Sequence, residues 1–132
     1  MVFLDTSPVI YLIEQPPLWG QKSVARINTL LASGERLAVS DLVRMECKVG
    51  PLKRKDTLLM AKFDVFFASP DVQVLSITGA VCDRAAIIRA QYGFKPLDAL
   101  HLATAVENGC SLFLTNDNRL SKFPDIPSHV LS

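Results

Sequence analysis

The stretch Val2-Phe3-Leu4-Asp5 constrains the chain most, because an unbroken apolar run ends abruptly in a carboxylate. The run lacks polar alternation, which suits a parallel strand covered on both faces, although periodicity alone does not separate such a strand from a short buried helix. Thr6 and Ser7 are capping residues, and Pro8 is tolerated in a first helical turn, so a helix is expected directly afterwards. In an open α/β sheet the functional site lies beyond the carboxyl ends of the strands, which is where Asp5 would stand. Near the other end of the chain, Phe113-Leu114-Thr115-Asn116-Asp117 repeats the arrangement. Both acids are expected at one sheet edge, and they would face each other across the topological switch point if their strands are neighbours.

Between these two stretches, apolar strands and helical patterns take turns. Val9 to Glu14 reads as a short helix broken by Gln15-Pro16-Pro17, and Val24, Ile27, Leu30 and Leu31 share a face on a helix from Trp19 to Ser33, with Gly34 as its stop. Arg36 to Val39 reads as a second strand, and Ser40 is placed to cap a helix from Asp41 to about Val49 that Gly50-Pro51 should end. Leu59, Phe63, Phe66 and Phe67 mark a further helix whose aromatic stripe suits the core or a dimer face. Val72 to Ile77 is a third strand, Thr78 caps a helix to Tyr92 that Gly93 ends, and Pro96 opens another helix to Glu107. Ser111 to Thr115 is a fourth strand, and His129 to Leu131 a weak fifth. This alternation predicts parallel βαβ units in a three-layer α/β/α sandwich with right-handed crossovers.

At 132 residues, with 49% hydrophobic and 20% charged side chains, the chain suits a single domain over residues 1–132 with a substantial core. The net charge of +1 gives no general basic signal, so contact with nucleic acid would have to rest on local patches such as Lys53, Arg54 and Lys55. Cys47, Cys82 and Cys110 are widely spaced and form no Cys-x-x-Cys pair, which speaks for buried reduced thiols in a cytoplasmic protein and against a disulfide framework or thiolate zinc site. No segment has the roughly 20 apolar residues a membrane span needs, and the N-terminus lacks the features of a signal peptide.

Two more acids join Asp5 and Asp117. Asp98 falls in the first turn of the Pro96 helix, where a negative charge is favoured, and Glu46 projects from the helix after the second strand. Taken singly, capping and solvation account for each of them. Gathered in one cleft, four carboxylates raise one another's pKa, and their repulsion must be offset by cations. Hard oxygen donors without a His or Cys pattern favour magnesium or manganese over zinc.

The segments Phe3-Leu4-Asp5-Thr6-Ser7, Ser40 to Glu46, Lys95 to Ala105 and Leu114-Thr115-Asn116-Asp117, in that order and across the whole chain, resemble the PIN domain in its small VapC-type toxin form. The proline-rich segment after Glu14 departs from the pattern. The resemblance implies a Mg2+- or Mn2+-dependent endoribonuclease, a strand order of 3-2-1-4-5, a homodimer and a cognate antitoxin. It places Asp5, Glu46, Asp98 and Asp117 at the acidic positions, with Thr6, Thr115 and Asn116 as supporting polar groups. Asp5 and Asp98 are then the expected direct metal ligands, Asp117 completes or water-bridges the site, and Glu46 ligates a second ion or positions water. Such a site would activate water for in-line attack on RNA, leaving a 5′-phosphate and a 3′-hydroxyl. His101 is given no catalytic role here, because water activated by a cation needs no histidine base. A catalytically idle binding module is the alternative, and the intact acidic set argues against it. A phosphoryl-aspartate protein is less favoured still, since Asp5 has no adjacent acid and Asp117 stands where a lysine would be wanted.

Overall fold

The computed structural model describes residues 1–132. Strands β1 (Val2–Leu4), β2 (Leu37–Ser40), β3 (Val72–Leu75), β4 (Leu112–Thr115) and β5 (Ser128–Val130) form one all-parallel sheet in the order β3-β2-β1-β4-β5. Helices α1 (Thr6–Glu14), α2 (Trp19–Ala32), α3 (Asp41–Arg54), α4 (Thr57–Ala68), α5 (Gly79–Tyr92) and α6 (Pro96–Glu107) connect them, with a 3₁₀ turn over Asn118–Lys122 before β5. This is the expected α/β class with the expected strand order.

All three residues of β1 are buried, which is why that strand carries no alternation. It lies between β2 and β4, with Val2 opposite both Leu37 and Leu112 and Phe3 opposite Ala38 and Phe113. The Phe3 and Phe113 rings stack at 5.4 Å, joining the two strands that end in acids. Beyond the strand, the Asp5 N–H still donates to the Leu114 carbonyl at 2.9 Å. The chain runs from β1 to β2 and β3 on one side, then returns to β4 on the other, so the switch point lies between β1 and β4.

The helix predictions hold with two corrections, and the cysteine reading with one. Helix α1 starts at Thr6, and its cap is Asp5 itself, whose carboxylate accepts from the Thr6 N–H. Helix α3 does not stop at Gly50-Pro51 but continues to Arg54 and ends at Lys55 in the left-handed region. An internal proline forfeits a hydrogen bond and crowds the preceding turn, at a cost of about 3 kcal/mol, yet the Pro51 ring is buried, and its packing offsets that cost. Finally, Cys47 and Cys110 are buried free thiols as expected, whereas Cys82 is exposed on α5. The aromatic stripe of α4 belongs to the core, with Phe63, Phe66 and Phe67 all buried.

The turn between α1 and α2 is closed by a glycine. Gln15 takes a left-handed conformation with φ of 50°, and a side chain at Gly20 would place its Cβ only 2.5 Å from the Gln15 Cα. The obstacle is backbone, which cannot swing aside. Gly20→Ala should therefore lower the unfolding free energy by about 2 kcal/mol, seen as an earlier urea midpoint with an unchanged m-value; an unaltered midpoint would show that the two helices separate freely.

Candidate functional site

Four elements converge at the carboxyl edge of β1 and β4. Asp5 leaves β1, Asp117 leaves β4, and α3 and α6 bring Glu46 and Asp98 alongside. The Asp5 carboxylate is buried and held from two directions: Oδ1 accepts the Thr6 N–H at 2.8 Å and Oδ2 accepts the Thr115 hydroxyl at 2.8 Å. Thr115 Oγ1 also accepts the Asp117 N–H at 3.0 Å, so one hydroxyl sets the relation between two of the acids.

Glu46 is fixed by two donors, the Thr6 hydroxyl at 2.6 Å and His101 Nε2 at 2.7 Å, both on Oε1. A carboxylate only accepts, so the bonding assigns the proton to Nε2. His101 is 2% exposed, its Nε2 lies 3.9 Å from Asp5 Oδ1, and its Nδ1 has no partner. The bond from His101, helped by that from Thr6, holds the Glu46 carboxyl below its ordinary range despite the opposing effect of burial.

Asp98 has the opposite character. Burial pushes its carboxyl up, and the nearby charges of Asp5 and Asp117 push it further; His101 and Arg119 only partly counter them. Asp117 is gripped by Arg119, whose Nε donates to Oδ1 at 3.0 Å, and this bond holds the Asp117 carboxyl low. The same guanidinium comes within 3.9 Å of Asp98 Oδ2. Glu46, Lys95, Asp98 and Arg119 line an open hollow of about 430 Å³.

The four acids and both threonines thus meet at one edge, while Asn116 faces elsewhere, its side-chain amide donating to the Tyr11 hydroxyl at 2.8 Å. Lys53, Arg54 and Lys55 lie at the far end of α3, with Arg54 paired to Glu14 at 3.4 Å. At 1.5 Å per residue, Arg54 is about 12 Å along the helix from Glu46. Two neighbours of the acids, His101 and Arg119, went unassigned in the sequence, as did Tyr11, the partner of Asn116. Only His101 left a signal, its place three residues after Asp98 putting both on one helical face. The buried Cys47 thiol beside Glu46 is pushed up to about 12, chiefly by burial, so it is no nucleophile.

The donors at this edge are carboxylate oxygens without thiolate, the kind a hard divalent cation takes. In this arrangement Arg119 supplies positive charge, and no three His, Cys, Asp or Glu side chains converge as ligands.

The PIN domain family model matches residues 2–126. Comparison with curated proteins by sequence gives no match. Among solved structures, VapBC2 from Rickettsia felis bound to a promoter DNA fragment aligns at a TM-score of 0.81 and 18% identity, covering 100% of each chain. DNA-bound VapBC from Salmonella typhimurium aligns at 0.79 and 21%, over 99% of this chain and 98% of that one. VapC20 from Mycobacterium tuberculosis, a sarcin-ricin loop cleaving toxin, aligns at 0.75 and 18%, over 96% and 99%. At these identities the likeness is one of fold.

The Glu46 bonds have a signed consequence. A carboxyl whose folded pKa is depressed contributes stability above its ordinary pKa of 4.5 and loses it as pH falls through the lowered folded value. Discounted for partial exposure, its charge-assisted bonds are worth about 1 kcal/mol. Glu46→Gln should thus melt earlier than the parent at pH 7, with the gap closing below pH 4.5. A gap that persisted unchanged into acid would assign the loss to packing alone.

Proposed function

The chain belongs to the PIN domain family, and from that premise we propose that it is a divalent-metal-dependent endoribonuclease, the toxin of a toxin–antitoxin pair, acting as a single nuclease domain over residues 1–132. The observation that carries this reading is the meeting of Asp5, Asp98 and Asp117 at one edge: the Thr115 hydroxyl ties Asp5 to Asp117, and one Arg119 guanidinium lies against both Asp117 and Asp98. A pure interaction surface has no use for such a gathering of like charges.

Asp5 and Asp98 would hold Mg2+ or Mn2+ directly, Asp117 would complete the set, and Glu46 would hold a second ion or orient water. A cation there supplies Lewis acidity, neutralising charge on the scissile phosphate and activating water. The chain's own residues do the positioning. Thr115 and the Thr6 N–H keep Asp5 aimed, and Thr6 and His101 keep Glu46 ionised and still. His101 Nε2, between Glu46 and Asp5, can hold a proton at the edge of the cleft without reaching into solvent. Arg119 must release Asp117 for that carboxylate to ligate, and its exposed position permits it. Lys53, Arg54 and Lys55 would meet only RNA that runs past the end of α3. RNA cleavage gains support from VapC20, described as a sarcin-ricin loop cleaving toxin.

The antitoxin is inferred from the VapBC complexes above and from a toxin–antitoxin complex of Klebsiella pneumoniae with a TM-score of 0.72. An apolar surface is available for it. Leu58 and Val65 of α4 are 70% and 72% exposed beside Leu12 and Ile13 of α1, around a hollow of about 440 Å³. No helix is long and apolar enough to cross a membrane. We take a cytoplasmic homodimer as the working form.

The test is cleavage of a pool of structured RNAs by protein freed of any partner, with magnesium, manganese or chelator. Cleavage should require metal, and Asp98→Asn should reduce it at least about 100-fold while leaving the far-ultraviolet spectrum unchanged. Full metal-dependent cleavage by folded Asp98→Asn would reject the assignment. A folded protein that binds manganese yet cuts no RNA would favour the idle module.

A further inference from the structure

A second charged hollow lies at the edge of the sheet, between α2 and β5. Lys22, Arg26, Thr29, His129 and Ser132 line a space of about 340 Å³. Lys22 and Arg26 stand one turn apart on α2, on the same face. Neither joins any ion pair, although Arg54, Arg84, Arg119 and Lys48 all do. The Nε of Arg26 is enclosed and has no hydrogen-bond partner. Burial lowers the pKa of His129, and the charge of the nearby Arg26 lowers it further. No Asp or Glu side chain lines the hollow, so its two cations are left to take an anion.

This hollow connects to the acidic edge through a line of contacts. Lys22 Nζ sits 5.0 Å over the Trp19 ring, and Trp19 stacks on Tyr11 at 5.6 Å. The Tyr11 hydroxyl accepts from Asn116, the residue before Asp117. Basic groups interleaved with aromatic rings, leading away from a cleavage site, are what a single nucleic-acid strand requires. The cations would take the phosphates, and the partly buried Trp19 and Tyr11 rings, stacked on each other, would wall the path between them and the cleft.

We propose that Lys22 and Arg26, with His129 beside them, form a phosphate-binding subsite that holds the single-stranded RNA backbone flanking the scissile bond, with Trp19 and Tyr11 as the wall joining it to Asp117. The inference rests on the nuclease reading above and adds where the strand lies. It also gives Asn116 a purpose, as the link that fixes Tyr11 against the end of β4.

The test measures binding of a short fluorescein-labelled, mixed-sequence single-stranded RNA across a salt series, in an Asp98→Asn background so that the probe stays intact. Each single-strand phosphate contact contributes about 0.7 to the slope of log affinity against log salt. Lys22→Ala with Arg26→Ala should flatten the slope by about 1.4 and weaken binding about tenfold at low salt. Arg26→Lys, which keeps the charge, should retain most of the slope, and Lys62→Ala on α4, outside this hollow, should leave it unchanged. If the double variant melts early, Lys22→Gln and Arg26→Gln, each keeping most of its stem, should each remove half of the change. Parent-like affinity and slope in the folded double variant, in a protein whose metal-dependent cleavage is established, would overturn the subsite alone. A parent that neither binds nor cuts RNA would remove the nuclease reading and the subsite with it.

Discussion

Strand β1 is three residues long, wholly buried, and hydrogen-bonded to a parallel neighbour on either side. Its register is therefore fixed three ways, by β2, by β4 and by the packing of Phe3 on Phe113. A slip of one residue would move Asp5 by about 3.3 Å and turn it to the opposite face of the sheet. The other acids reach the edge by separate routes, through β4, α3 and α6; Glu46 and Asp117 are bonded to Thr6 and Thr115, which themselves hold Asp5, while Asp98 meets them through Arg119. The pairing of β1 is thus the scaffold from which the whole cleft is measured.

Gathering like charges at that edge costs free energy, and the fold spreads the compensation unevenly. Asp117 has a guanidinium, Glu46 has an imidazole N–H and a hydroxyl, and Asp5 has a backbone donor and a hydroxyl. Asp98 has the first turn of α6 and a guanidinium 3.9 Å away, and no side-chain hydrogen-bond donor. The carboxyl pushed up is the one least provided for. Such a division marks Asp98 as the position where added positive charge would be most welcome, in keeping with its proposed role.

Much of this architecture is legible in the chain. Apolar runs that end in Asp5 and Asp117, Ser40 and Thr78 as caps, and Gly93 as a stop each state a local preference that the fold obeys. The continuation of α3 through Pro51 was not legible, because the rule for a proline inside a helix is local while the packing that overrides it comes from the core. Pairings between distant residues were equally hidden. Glu46 and His101 are 55 positions apart, and Asn116 and Tyr11 are 105 apart. Arg119 was overlooked for a different reason: a basic residue two places after an acid in a turn reads as solvated charge, and only its guanidinium position shows that it lies against two acids.

Asp5 serves the helix before it serves any ligand. One carboxylate oxygen is committed to the first turn of α1 and the other to Thr115, so its rotamer is chosen during folding and does not wait for substrate. The entropy of ordering that side chain is thereby settled in the folding equilibrium, and binding at the cleft need not meet it again. A helix cap, ordinarily a matter of stability, here becomes a device for preorganisation. The chain cannot loosen the start of α1 without also blurring the aim of its first acid.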